Sequence, residues 1–139
     1  MFSKENLEGI FLSLAKTEVS IERLESSNIG YRVRLRVNLR SDSEPFLLGI
    51  KRSLLQHDID SVYKQSEHKT RPRPILRIGG IKNLYKLCEI VSPELPDSKQ
   101  EWKPFREAVS LVSNGEHLKL EGIEQLFRIK MGENWNGAD

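Results

Sequence analysis

The sequence predicts an α+β domain in which helices cover one face of a four-stranded antiparallel sheet. Three observations carry this. Residues 31–40 alternate apolar and polar without a break, the period of a half-buried strand. Segments with helical spacing separate two such hairpins, in the order helix, hairpin, helix, hairpin, helix, and two further helices follow. The strands come as adjacent pairs in hairpins, for which an antiparallel sheet with helices on one face is the natural packing.

The first helix is expected over residues 4–15. Leu7, Ile10, Phe11 and Leu14 share its apolar face, and Ser3 is placed to cap it. Thr17 to Glu25 alternates and reads as the first strand. The run Ser26-Ser27-Asn28-Ile29-Gly30 supplies a turn into the strand Tyr31 to Arg40. Asp42 or Ser43 can cap a second helix, Glu44 to Leu55, with Leu47, Ile50 and Leu54 inward. Ile59 to Gln65 and Thr70 to Ile78 form the second predicted hairpin. Pro72 and Pro74 cannot donate to a ladder, so its second strand must lie at a sheet edge or start irregularly. Gly79-Gly80 ends it. A third helix follows from Ile81 to Val91, with Ile81, Leu84, Tyr85, Cys88 and Val91 on its apolar side. Pro93 and Pro96 break the chain, and Asp97 or Ser98 opens a fourth helix with Trp102, Phe105, Val109 and Val112 on one face. Pro104 can delay its regular start. Ser113-Asn114-Gly115 stops it. The last helix spans about Leu120 to Met131, with Ile123, Leu126 and Phe127 inward. The domain is therefore placed at residues 1–131, with 132–139 as a flexible tail.

Composition narrows the class. A chain of 139 residues with 37% hydrophobic and 30% charged residues is one globular domain with a core of its own. No apolar run approaches the roughly 20 residues that span a bilayer, and no basic segment leads into an apolar stretch, so neither membrane insertion nor a signal peptide is expected. Cys88 is the only cysteine, which excludes an internal disulfide and points to an intracellular setting. Net charge is only +2, so the placement of charge matters more than its total.

That placement is informative. If the apolar residues of each strand face the helices, the alternate residues point outward together. The outward set then holds Arg32, Arg34, Arg36, Asn38 and Arg40 from one strand and Arg71, Arg73 and Arg77 from another, with Lys64 beside them. Strands about 4.8 Å apart would array these guanidinium groups as a grid suited to a polyanion. Arginine offers a planar fork for phosphate or a guanine edge, and a two-stranded ribbon fits the DNA major groove. The competing reading is an ordinary solvated face balanced by Glu18, Glu22 and Asp60; the one-sign stripe on residues 32–40 argues against it.

Other chemistries lack support. His57, His68 and His117 have no metal-ligand spacing. No phosphate-cradling glycine loop, dinucleotide fingerprint or nucleophile elbow is present. Cys88 lies on an apolar helix face and reads as core.

Beyond these physical patterns, the sequence resembles the LAGLIDADG homing-endonuclease family over nearly its whole length. The resemblance rests on Ile29-Gly30-Tyr31-Arg32-Val33, on Ser61-Val62-Tyr63-Lys64, and on Glu94-Leu95-Pro96-Asp97-Ser98-Lys99, which is similar to the family's "PL..sK" turn. The run Asn114-Gly115-Glu116-His117-Leu118-Lys119-Leu120-Glu121-Gly122-Ile123 is similar to its "N.EHLT.EGL" segment. The resemblance implies an αββαββα fold with a saddle-shaped sheet that sits in the major groove. It also implies that Leu7 to Ala15 is the motif helix, retaining the leading leucine and the glycine at Gly9. Gly9 and Ser13 keep a small-residue spacing, and Leu7, Gly9, Ile10 and Ser13 are the implied interface of a homodimer. Glu8 stands at the family's usual alanine.

The motif's two acidic positions are Leu12 and Leu14. Leucine cannot ligate the divalent cation that the family uses to activate water. A shifted register puts Glu18 at the acid position, and Lys99 matches the family's lysine near the active site. The leading expectation is thus a nucleic-acid-binding protein of homing-endonuclease descent without cleavage activity, acting on DNA or structured RNA. The alternatives are an active site-specific endonuclease with Glu18 as metal ligand, and a protein-interaction domain or structural subunit of a ribonucleoprotein. No cofactor is expected, and Mg²⁺ enters only under the endonuclease alternative. The expected partners are nucleic acid and a second copy of the chain, or a larger assembly.

Overall fold

A computed structural model describes residues 2–91 and 101–132. Helix α1 (Lys4–Leu14) begins where Ser3 Oγ accepts the Asn6 N–H at 3.1 Å, and Glu5 in its first turn complements the helix dipole. Strands β1 (Lys16–Arg23) and β2 (Tyr31–Arg40) form the first hairpin. Gly30 takes a φ of +83°, which a residue with a Cβ adopts only under strain. Helix α2 (Glu44–Leu55) is capped by the Ser43 hydroxyl accepting the Phe46 N–H, with Pro45 tolerated in the first turn. The second hairpin is β3 (Val62–Lys64) and β4 (Ile75–Gly79), followed by α3 (Ile81–Ile90), α4 (Trp102–Ser113), a 3₁₀ turn at Glu116–Leu118, and α5 (Leu120–Met131).

The four strands form one antiparallel sheet in the order β1-β2-β4-β3. Thr17, Val19 and Ile21 of β1, Leu35, Val37 and Leu39 of β2, and Leu76 and Ile78 of β4 share the covered face, as the ladder registers require. They pack with Leu7 and Phe11 of α1, Leu47, Ile50 and Leu54 of α2, Leu84 and Leu87 of α3, and Trp102 and Phe105 of α4. Burial of these side chains, at about 1.5–3 kcal/mol each, is the main favourable term holding helices to sheet. Arg106 of α4 donates to the Cys88 and Val91 carbonyls and so satisfies the C-terminal end of α3.

The α+β class, the four-stranded sheet and the element order agree with the expectation; several details differ. The second hairpin is shorter than the predicted spans 59–65 and 70–78. Strand β4 is internal, so every ladder N–H is needed, and the strand cannot begin until Pro72 and Pro74 are passed. Arg71 and Arg73 accordingly lie before the strand, in a turn closed by an isolated His68–Arg71 bridge. Leu7 is fully buried in the core, so it cannot form a dimer interface; Gly9 and Ser13 are exposed and Ile10 half-buried. Leu14 and Tyr85 are 50% and 55% exposed rather than inward, because each sits at the margin of its helix's apolar stripe. Residues 92–100, which include Lys99 and the proposed caps Asp97 and Ser98, lie outside the described residues, as does the tail beyond Gly132.

Candidate nucleic-acid interface

Alternation on β2 sends Arg32, Arg34, Arg36, Asn38 and Arg40 to the uncovered face, as expected. The registers place Glu22 opposite Arg32, Ser20 opposite Arg34, Glu18 opposite Arg36 and Lys16 opposite Asn38. On the other side Arg77 stands opposite Asn38, with Val62 beyond it, and Ile75 stands between Arg40 and Lys64.

The face is not a grid of mutually repelling guanidinium groups. A belt of hydrogen bonds crosses it. Arg36 Nη2 donates to Glu18 Oε2 at 2.5 Å, and Asn38 Nδ2 donates to Glu18 Oε1 at 2.9 Å. Arg77 Nε donates to Asn38 Oδ1 at 2.8 Å, which fixes the orientation of this buried amide. Arg77 Nη2 lies 3.9 Å from Glu67 Oε2. Arg40 meets the same carboxylate through two parallel bonds, Nε to Oε1 at 2.7 Å and Nη2 to Oε2 at 2.8 Å. Arg73 pairs with Asp42 at 3.0 Å.

Electrostatics follow the geometry. The Arg40 hydrogen bonds, reinforced by the charges of Arg40, Arg71 and Arg77, lower the Glu67 carboxyl to about 2, against the smaller opposing effect of burial. Burial pushes the Glu18 carboxyl up, but hydrogen bonds from Arg36 and Asn38 and the charges of Arg36 and Arg77 together outweigh it, and the group is held below the usual carboxylate range. Hydrogen bonding to Glu67 raises Arg40 further. Among the described residues, Arg32 and Arg34 have no ion-pair partner, and Glu22 closes no pair with the Arg32 opposite it.

The structure therefore brings together Arg32, Arg34, Arg36, Asn38, Arg40, Lys64 and Arg77 on one face. Arg71 and Arg73 leave the strand but remain near it, lining an open cleft of about 480 Å³ with Arg40, Asp42, Glu67 and Pro72. Sequence reasoning missed Lys16, although its parity with Glu18 was readable. It also missed Glu67, whose 27-residue separation from Arg40 gives no local signal.

The two positions of α1 that the resemblance aligns with the motif's acids, Leu12 and Leu14, offer no carboxylate for a cation. Leu12 packs against the core and Leu14 is exposed. Both oxygens of Glu18 are engaged by Arg36 and Asn38 on the open face of the sheet. No group of three or more histidine, cysteine, aspartate or glutamate side chains suited to a metal occurs among the described residues. Among the described residues, the side chains do not fit the divalent cation that the family resemblance implies.

With this geometry in view, comparison with solved structures is decisive for the fold. A homing endonuclease, I-TnaI, superposes with a TM-score of 0.81 at 21% identity, covering 98% of this chain and 90% of that one. The chain has the LAGLIDADG homing-endonuclease fold. The LAGLIDADG meganuclease I-CpaMI, solved bound to uncleaved DNA, gives 0.80 at 19% identity over 99% of this chain but 48% of its own. An archaeal intron-encoded homing endonuclease complexed with DNA gives 0.79 at 19% identity, over 98% and 88% of the two chains. No protein-family model matches the chain. Among curated proteins, the probable intron-encoded endonuclease 3 of Neurospora crassa is 30% identical over 125 residues, 87% of this chain. The chain spans only 22% of that protein's length. Sequence and fold agree on homing-endonuclease descent. Among the described residues no helix is long and apolar enough to cross a membrane.

Proposed function

We propose that this LAGLIDADG-fold chain binds duplex DNA through the open face of its sheet and does not cut it. The observation that carries the reading is the pair of unpartnered guanidinium groups, Arg32 and Arg34, on an outward-facing strand flanked by further arginines. Each can neutralise a phosphate and release condensed counterions. Several proteins with this fold were solved with DNA bound, which supports the same class of ligand here.

The inactive reading is supported by the leucines at the motif's acidic positions and by the full engagement of Glu18. Glu18 would have to surrender Arg36 and Asn38 to take up a cation. Association of two copies through the open side of α1, where Gly9 and Ser13 are exposed and a Cβ at Gly9 would meet nothing within 4 Å, is part of the proposal. Light scattering of the full chain tests it: a mass near 16.1 kDa at micromolar concentration refutes the dimer.

The main test is binding to mixed-sequence duplex DNA across salt concentrations. Arg34→Glu is expected to weaken binding and to reduce the slope of log affinity against log salt by about one or more. An unchanged affinity and slope would remove this face from the interface. Incubation with Mg²⁺ or Mn²⁺ is expected to leave DNA intact; metal-dependent cutting abolished by Glu18→Gln would restore the endonuclease reading.

A further inference from the structure

We infer that Glu67 is a positioning residue that sets Arg40 as a reader of guanine in the major groove, a specificity that rests on the DNA-binding reading above. A guanidinium group has five N–H donors. Glu67 takes the Nε–H and one Nη2 hydrogen, the pair along the side of the group. The hydrogens left free are both on Nη1 and the second on Nη2. One of each forms a parallel fork at the far end of the side chain.

That fork selects among bases by hydrogen-bond polarity. Guanine presents two adjacent acceptors, N7 and O6, in the major groove. Adenine presents an acceptor beside an amino donor, cytosine an amino donor, and thymine an oxygen beside a methyl group. Only guanine satisfies both arms of the fork. The carboxylate also decides against the other obvious ligand. A phosphate drawn to Arg40 would bring a full negative charge close to Glu67, whereas the guanine edge is uncharged. Arg32 and Arg34 close no ion pair and remain open to phosphate.

The site is built and open. The Glu67 side chain is 12% exposed and that of Arg40 27% exposed, so the pair is largely withdrawn from water while one edge remains free. Arg40 and Glu67 both line the cleft shared with Arg71 and Arg73. Because Glu67 holds the fork before DNA arrives, less side-chain freedom is lost on binding. Arg77, 3.9 Å from the same carboxylate, adds a second positive charge that helps keep Glu67 ionised.

The test begins with selection of duplexes from a random pool by the full chain. The selected duplex is then remade with 7-deazaguanine at each guanine in turn, which deletes only the N7 acceptor. One position is expected to weaken the unmodified chain's binding by about 10- to 100-fold. Arg40→Lys, which keeps the charge and loses the fork, should erase that position's effect while the salt slope stays the same. Glu67→Gln should raise affinity for unrelated sequences, steepen the salt slope by about one, and blunt discrimination at the same position. The inference is overturned if no guanine is sensitive to loss of N7, or if the sensitive position survives Arg40→Lys. It is also overturned if Glu67→Gln changes affinity for all sequences alike with discrimination intact. In each of those cases DNA binding itself stands. If no duplex is retained at all, the proposed function falls, and this assignment with it.

Discussion

Replacing Glu67 by glutamine removes a carboxylate from between two guanidinium groups, and its effect on stability can be worked from the contacts. The lost interactions are the charge in a two-bond pair with Arg40, at 2.7 and 2.8 Å, and a 3.9 Å attraction to Arg77. The lowering of the Glu67 carboxyl from 4.5 to about 2 sets a ceiling of about 3 kcal/mol, at 1.36 kcal/mol per unit. Solvent screening on an open face reduces this, and glutamine keeps one neutral acceptor for Arg40. The expected loss at pH 7 is therefore about 1–2 kcal/mol, or a fall of about 3–8 °C in Tm. The pH dependence separates charge from shape. A carboxyl lowered in the folded state contributes its full stabilisation above the ordinary value of 4.5 and loses it as pH falls through about 2. Urea unfolding of both proteins between pH 7 and pH 2 is the assay. The gap between them should be constant down to about pH 4.5 and close steadily below it. A gap that stays flat to pH 2, or a variant as stable as the parent at pH 7, would refute the reasoning.

Three further outcomes follow from the packing. Leu39→Ala empties a fully buried site at the centre of the sheet and should cost about 2–5 kcal/mol, read as a lower urea midpoint with an unchanged slope. Gly122→Ala places a Cβ against the Glu116 carbonyl oxygen; the 3₁₀ turn and α5 must move apart, at about 1–3 kcal/mol, measured as a drop in Tm. Burial pushes the Cys88 thiol up to about 11, with Arg106 opposing only in part. A disulfide reagent at pH 8 should leave the native thiol unmodified and label it only on unfolding; rapid labelling of folded protein would contradict its burial.

Much of the fold was legible because local patterns agreed with the tertiary packing. The ten-residue alternation of Tyr31 to Arg40 could be satisfied only by a strand with one wet face, and the structure places its arginines on that face. The inward residues Leu47, Ile50 and Leu54 on α2, and Ile123 and Leu126 on α5, followed from helical spacing alone. Marginal positions did not follow. Leu14 and Tyr85 fit the apolar period but lie at the boundary of their stripes, where the neighbouring elements decide burial. Leu7 was read through a family resemblance as an interface residue, whereas its own spacing with Phe11 marks it as core.

Sequence by itself determined which side chains share a strand face, because the period of two is a property of the backbone and needs no partner. It also put leucine at positions 12 and 14, where the family resemblance implies acids. Tertiary structure alone decided which of the arginines keep a free charge. Ion pairing acts over a few ångströms in space, and the carboxylates that hold Arg36 and Arg40 come from 18 and 27 residues away along the chain. The same is true of Arg71 and Arg73: two prolines set a limit on the strand, but only the internal position of β4, with a neighbour on each side demanding its N–H groups, moved those arginines off the sheet.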